Sequence, residues 1–109
     1  KQFDEIQEKF TRELKAISDS KGLEYANSED RLANFKRMGV KYEISPMKAC
    51  GLLLSKHLDA IDYVINGKKE ISETFESRIK DAILYLMLLY AIHVENLIRE
   101  DAKRDKQIG

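Results

Sequence analysis

Two acidic pairs of equal spacing flank a short polar turn, Asp59-x2-Asp62 and Glu73-x2-Glu76, and Asp81 follows them. Residues three apart on a helix stand about 60° apart around its axis, so both carboxylates of a pair can reach one cation. Antiparallel helices joined by that turn would bring the pairs together. Hard oxygen donors gathered in this way suit Mg²⁺, which keeps some of its waters and bridges phosphates. One of the two pairs also has an explanation without a ligand, since a helix dipole favours acids such as Glu73 and Glu76 in the first turn. His57 and His93 fall beside or within apolar stripes, with no acid at a metal-motif spacing, and read as core or subunit-contact residues. Cys50 reads as a small hydrophobe. There is no G-x-G-x-x-G, no Walker loop, no nucleophile-histidine-acid pattern and no H-E-x-x-H.

A second concentration of polar chemistry is the stretch 21–39, KGLEYANSEDRLANFKRMG. It sets Lys21, Glu24, Asn27, Asp30, Arg31 and Asn34 among two aromatics, Tyr25 and Phe35. The local reading is a well-hydrogen-bonded connector, with a ligand-binding loop as the alternative.

The elements that must position these groups are helices. Phe3, Ile6, Phe10, Leu14 and Ile17 recur at steps of three and four, which predicts a one-sided amphipathic helix over residues 1–20, closed near Gly22. Ser28 is expected to cap a short helix from Glu29 to about Arg37, with Leu32 and Phe35 inward. Ser45-Pro46, an N-cap followed by proline at the first helical position, starts a third helix that Gly67 ends. Its expected core face is Met47, Cys50, Leu54, Leu58, Ile61 and Ile65. Ser72 is expected to cap a fourth helix, reaching about Glu100, whose middle, Ala82–Ile92, carries no charge, glycine or proline. Phe75, Ile79, Ala82, Leu86, Tyr90, His93 and Leu97 form one stripe, and Asp81, Tyr85, Leu88 and Ile92 form another on roughly the opposite side. A helix apolar on both sides must be covered on both, so association through helix four into a dimer or larger homo-oligomer is expected. The uncharged run is shorter than the about 18 residues a membrane span requires, and no membrane partner is expected.

Nineteen basic residues balance nineteen acidic ones, which argues against duplex nucleic acid as a partner. A single cysteine excludes an intramolecular disulfide framework and fits a reducing cytoplasm; no secretory leader is legible. Five glycines, one proline and no alternating β-branched runs predict an all-α fold. The expectation is a compact bundle of four main helices, one domain over residues 1–98, with a frayed charged tail at 99–109.

Four segments together resemble a known group: Lys21-Gly22-Leu23-Glu24-Tyr25-Ala26, Asp30-Arg31-Leu32-Ala33-Asn34-Phe35, Lys56-His57-Leu58-Asp59, and Glu76-Ser77-Arg78-Ile79-Lys80-Asp81-Ala82-Ile83-Leu84-Tyr85-Leu86. They look like the small, often phage-borne nucleotide-modification-associated proteins, a group similar to the all-α MazG-like nucleoside triphosphate pyrophosphohydrolases. The resemblance implies a four-helix core, oligomers, and a Mg²⁺-dependent split of a nucleoside triphosphate into monophosphate and pyrophosphate. The family holds its metal with Glu-x2-Glu on one helix and Glu-x2-Asp on the next. Here Asp59 and Asp62 match the first pair. Glu76 and Asp81 match the second with four intervening residues, about 140° apart on a helix, and Arg78 stands near where an acid is due.

On that resemblance, Asp59, Asp62, Glu76 and Asp81 are the expected metal ligands, with Asp59, Glu76 and Asp81 catalytic. Lys21, Glu24, Tyr25, Asn27, Asp30, Arg31, Asn34, Phe35, Lys56 and Arg78 are expected to line the nucleotide pocket. The competing expectation is a non-catalytic binder that sequesters a nucleotide or cyclic-nucleotide signal through the cations and aromatics of that set. A structural helical adaptor would need the apolar stripes alone.

Overall fold

The structure, a computed structural model, describes residues 2–24, 31–70 and 72–108. Four α-helices follow one another: α1 (Gln2–Glu24), α2 (Ala33–Tyr42), α3 (Pro46–Ile65) and α4 (Phe75–Ile108), with no strand among the described residues. The chain divides into two compact units, Lys1–Ala33 and Asn34–Gly109.

In the first unit α1 has Asp4 and Glu5 in its first turn and Lys21 in its last, the arrangement its dipole favours. Lys9–Glu13 (3.9 Å) and Lys15–Asp19 (2.9 Å) brace its exposed side. The helix continues through Gly22 to Glu24 instead of closing at the glycine. One interior glycine costs only about 1 kcal/mol relative to alanine and does not end a helix unless the chain turns left-handed there. Arg31 reaches back to α1, donating from Nη1 to Ser18 Oγ and from Nη2 to Ser18 O, both at 3.1 Å.

α2 starts at Ala33, the last residue of the first unit and later than the expected Glu29, and runs through the start of the second unit to Tyr42; the expected cap Ser28 lies outside the described residues. Its end is a tight reversal. Glu43 takes the left-handed conformation (φ 56°), and Ile44 N donates to Gly39 O at 3.0 Å, closing the last turn. Gly39 is buried, and a Cβ there would lie 2.6 Å from Ile44 O, so the reversal requires glycine.

Ser45 and Pro46 then open α3 as expected. Ser45 is extended (φ −70°, ψ 152°), and its hydroxyl accepts from Lys48 N at 3.0 Å. Gly67 (φ 85°) closes α3, with Gly67 N donating to Val64 O (2.9 Å) and Lys68 N to Tyr63 O (3.2 Å).

The cap of α4 is Thr74, not Ser72: Thr74 Oγ1 accepts from Ser77 N at 3.1 Å, and the Glu70 carboxylate accepts from Phe75 N at 2.6 Å. At the other end α4 continues past Glu100 to Ile108, so the charged tail is helical through its described residues. Opposite charges one turn apart, such as Asp101 and Arg104, which are ion-paired, sustain helix without an apolar face.

α3 packs against α4. The interior is formed by Ala49, Cys50, Leu54 and His57 of α3, Ala82, Leu84 and Ile92 of α4, and Phe35 of α2. Leu58 and Ile65, expected inside, are 45% and 67% exposed, and His57 is inside instead. The buried arc of α3 is thus rotated towards the histidine, which Arg78 and Tyr85 of α4 engage. On α4 the Tyr85–Ile92 side is the inner one, whereas Leu86, Tyr90 and Leu97 on the other side stand 45–69% exposed. By length and composition α4 can also cross a membrane, over Phe75–Lys106; only 17% of its most apolar window is buried.

Candidate functional site

The polar centre of the second unit is Arg78, in the first turns of α4, whose side chain is 12% exposed. Its Nη1 lies 3.2 Å from His57 Nδ1, its Nη2 donates to Ser72 Oγ at 3.1 Å, and its Nε stands 3.6 Å from Glu73 Oε2. Three different stretches of chain meet here. The apolar face of α3 carries His57 inward, the turn after Gly67 supplies Ser72 and Glu73, and the Thr74 cap fixes where α4 starts and so where Arg78 points.

A guanidinium has only N–H groups to offer, so His57 Nδ1 is the acceptor and the ring carries its proton on Nε2. The neutral form is also the one its surroundings favour. Burial lowers the pKa of His57; the charge of Asp81 pulls it up, Arg78 pushes it down, Glu73 raises it and Lys56 lowers it. The ring is stacked on Tyr85, with centroids 5.2 Å apart and planes at 29°. Tyr85 in turn meets Phe35 edge-on at 6.4 Å. Behind it the Cys50 thiol donates to Tyr85 O at 3.5 Å; burial raises its pKa, so it is an inert packing group.

His57, Glu73 and Asp81 bring one ligand atom each within 4.8 Å of one another. Donors around a single ion stand closer than that, so slight closure would be needed. One imidazole with two carboxylates suits Mn²⁺ or Zn²⁺ better than the oxygen-only shell preferred by Mg²⁺. Arg78, bonded to two of the three donors, competes with any dication for them.

Of the four expected metal ligands, this group contains Asp81 alone. Asp59, Asp62 and Glu76 are exposed and do not join it. Glu73 precedes α4 instead of forming a helical i,i+3 pair with Glu76, because the helix starts at Phe75. Among the expected nucleotide contacts, Arg78 is central, and exposed Lys56 lies near enough to act on His57. Phe35 is 4% exposed and meets Tyr85 of the cluster edge-on. Asn34 is exposed and accepts from Arg37 Nη2 at 3.2 Å. Lys21 and Arg31 belong to the first unit, where Arg31 is bonded to Ser18. Tyr25, Asn27, Asp30 and the side chain of Glu24 lie outside the described residues.

Sequence reasoning missed His57, Ser72 and Tyr85 as members of the site. The available signal was a histidine beside an apolar stripe, opposite an arginine across a short hairpin. No family model, curated protein or solved structure matches this chain.

Proposed function

We propose that this chain binds a nucleotide, with Arg78 as the anchor for phosphate and Lys56 as a second cation beside it. One observation carries the reading: a nearly immersed guanidinium held in a fixed orientation by His57, Ser72 and Glu73. Arginine supplies a planar fork suited to phosphate oxygens, and holding it beforehand removes the cost of ordering it on binding. A neutral histidine on Nη1 adds no charge of its own, so Glu73 is the anion shown paired with the fork. The segments that resemble the nucleotide-modification-associated proteins support a nucleotide over other phosphorylated ligands. Of the two activities weighed from the sequence, non-catalytic binding is the one we favour, because Arg78 already holds His57 and Glu73, two of the three donors that a catalytic metal would need.

The His57, Glu73 and Asp81 group favours a second reading, a divalent-metal-dependent (deoxy)nucleoside triphosphate pyrophosphohydrolase. The test is calorimetric titration with a panel of nucleotides, including cyclic ones, in EDTA and in Mg²⁺ or Mn²⁺, together with a pyrophosphate-release assay. Metal-free binding that Arg78→Ala weakens by about 1–3 kcal/mol, without turnover, is the expected result. Turnover that needs metal and is lost in Asp81→Asn would establish the enzyme instead. We further propose that the four helices act as a cytoplasmic homo-oligomer joined through the outer side of α4, since that side is apolar and open.

A further inference from the structure

The outer stripe of α4 has a symmetry of its own. Leu86, Tyr90, His93 and Leu97 fall within about 60° of arc and are all exposed. Their spacing is four, three, four, which reads the same in either direction. The centre of that pattern lies between Ala91 and Ile92. A second α4 laid antiparallel about this point would therefore bring these four positions onto those of the first, over about 16 Å of helix.

We infer that two copies of this chain pair through α4, antiparallel about a twofold axis between Ala91 and Ile92, with Leu86 facing Leu97 and Tyr90 facing His93 of the other copy. This rests on the proposal that the chain oligomerises through α4, and adds the partner's orientation and register. A twofold contact requires a surface complementary to itself, and a palindromic stripe is one. Leu86 (49%), Met87 (57%), Tyr90 (69%), Leu97 (45%) and Ile98 (62%) stand open together on one side of the helix, and large apolar side chains grouped in this way mark an interaction surface. The chain's zero formal net charge sets up no long-range repulsion between copies. Antiparallel packing also places the positive end of each helix dipole beside the negative end of the other.

The experiment uses the full chain with Cys50→Ser, so that no native thiol interferes. Sedimentation equilibrium first reads the oligomeric state. Chains carrying Leu86→Cys and chains carrying Leu97→Cys are then oxidised separately and as an equal mixture, with circular dichroism confirming helix content; both positions are exposed and tolerate the change. The expected result is a dimer in which the mixture cross-links several-fold more than either variant alone, because each cysteine lies about 16 Å along the helix from its own copy across the axis. Efficient Leu86→Cys self-cross-linking in a dimer would mean parallel pairing and overturn the register while leaving oligomerisation standing. A monomer at tens of micromolar, or a chain that leaves solution only with lipid vesicles, would overturn both.

Discussion

Replacing Gly39 by alanine tests the reversal that carries the chain from α2 into the helix bearing His57. The added Cβ would meet Ile44 O at 2.6 Å, with Pro46 Cδ and N at 3.6 Å. The carbonyl cannot simply move aside, because Ile44 N is bonded to Gly39 O at 3.0 Å, Glu43 is already left-handed, and Ser45 and Pro46 begin the next helix at once. Forcing an extra carbon into such a site costs about 1–3 kcal/mol. Alanine in a helix returns about 0.5–1 kcal/mol. The net expectation is a loss of about 1–2 kcal/mol, which for a unit of this size lowers Tm by roughly 5–15 °C. Gly51→Ala is the matched control: nothing lies within 4 Å of its added carbon, so it should gain about 0.5–1 kcal/mol. Both are read by urea and thermal unfolding followed by circular dichroism. Gly39→Ala as stable as the parent, or the two variants behaving alike, would refute the close approach.

Three further outcomes follow from the same geometry. Arg78→Lys keeps the charge but cannot satisfy His57, Ser72 and Glu73 together, so nucleotide affinity should fall about tenfold or more; equal affinity in calorimetry would show that the fork is not used. Because the folded state lowers the pKa of His57, the unfolded chain takes up its proton first as pH falls. Stability held above about pH 6.5 should therefore decline on acidification until the folded pKa is reached, and His57→Gln should flatten that part of the Tm-against-pH curve. Thr74→Ala should cost about 1 kcal/mol in urea unfolding, whereas a cap at Ser72 would make it neutral.

The features legible in the sequence were those set by neighbours along the chain. Ser45-Pro46 and Gly67 mark the ends of α3 because a cap and a left-handed closure are local events. The choice between Ser72 and Thr74 was not local, since both are hydroxyls before the same helix and Arg78 claims the first. For the same reason the end of α1 was misjudged at Gly22, where a glycine allows a turn without enforcing one. At the site, Arg78 and Asp81 stood out by charge. His57 did not, because its partner Arg78 lies 21 residues away and meets it only once α3 and α4 pack. Asp59 and Asp62 carried the opposite message: their spacing suited a metal, but the rotation of α3 that buries His57 leaves them outward.

The most direct measurement of the central claim is ¹⁵N NMR of the His57 ring and the Arg78 side chain during nucleotide titration in EDTA near pH 7.5. The expected result is a neutral ring protonated on Nε2, with Nδ1 accepting. Its resonance and that of Arg78 Nε–H should shift together and saturate as phosphate takes up the fork. A doubly protonated ring, or resonances unmoved at millimolar nucleotide, would contradict it.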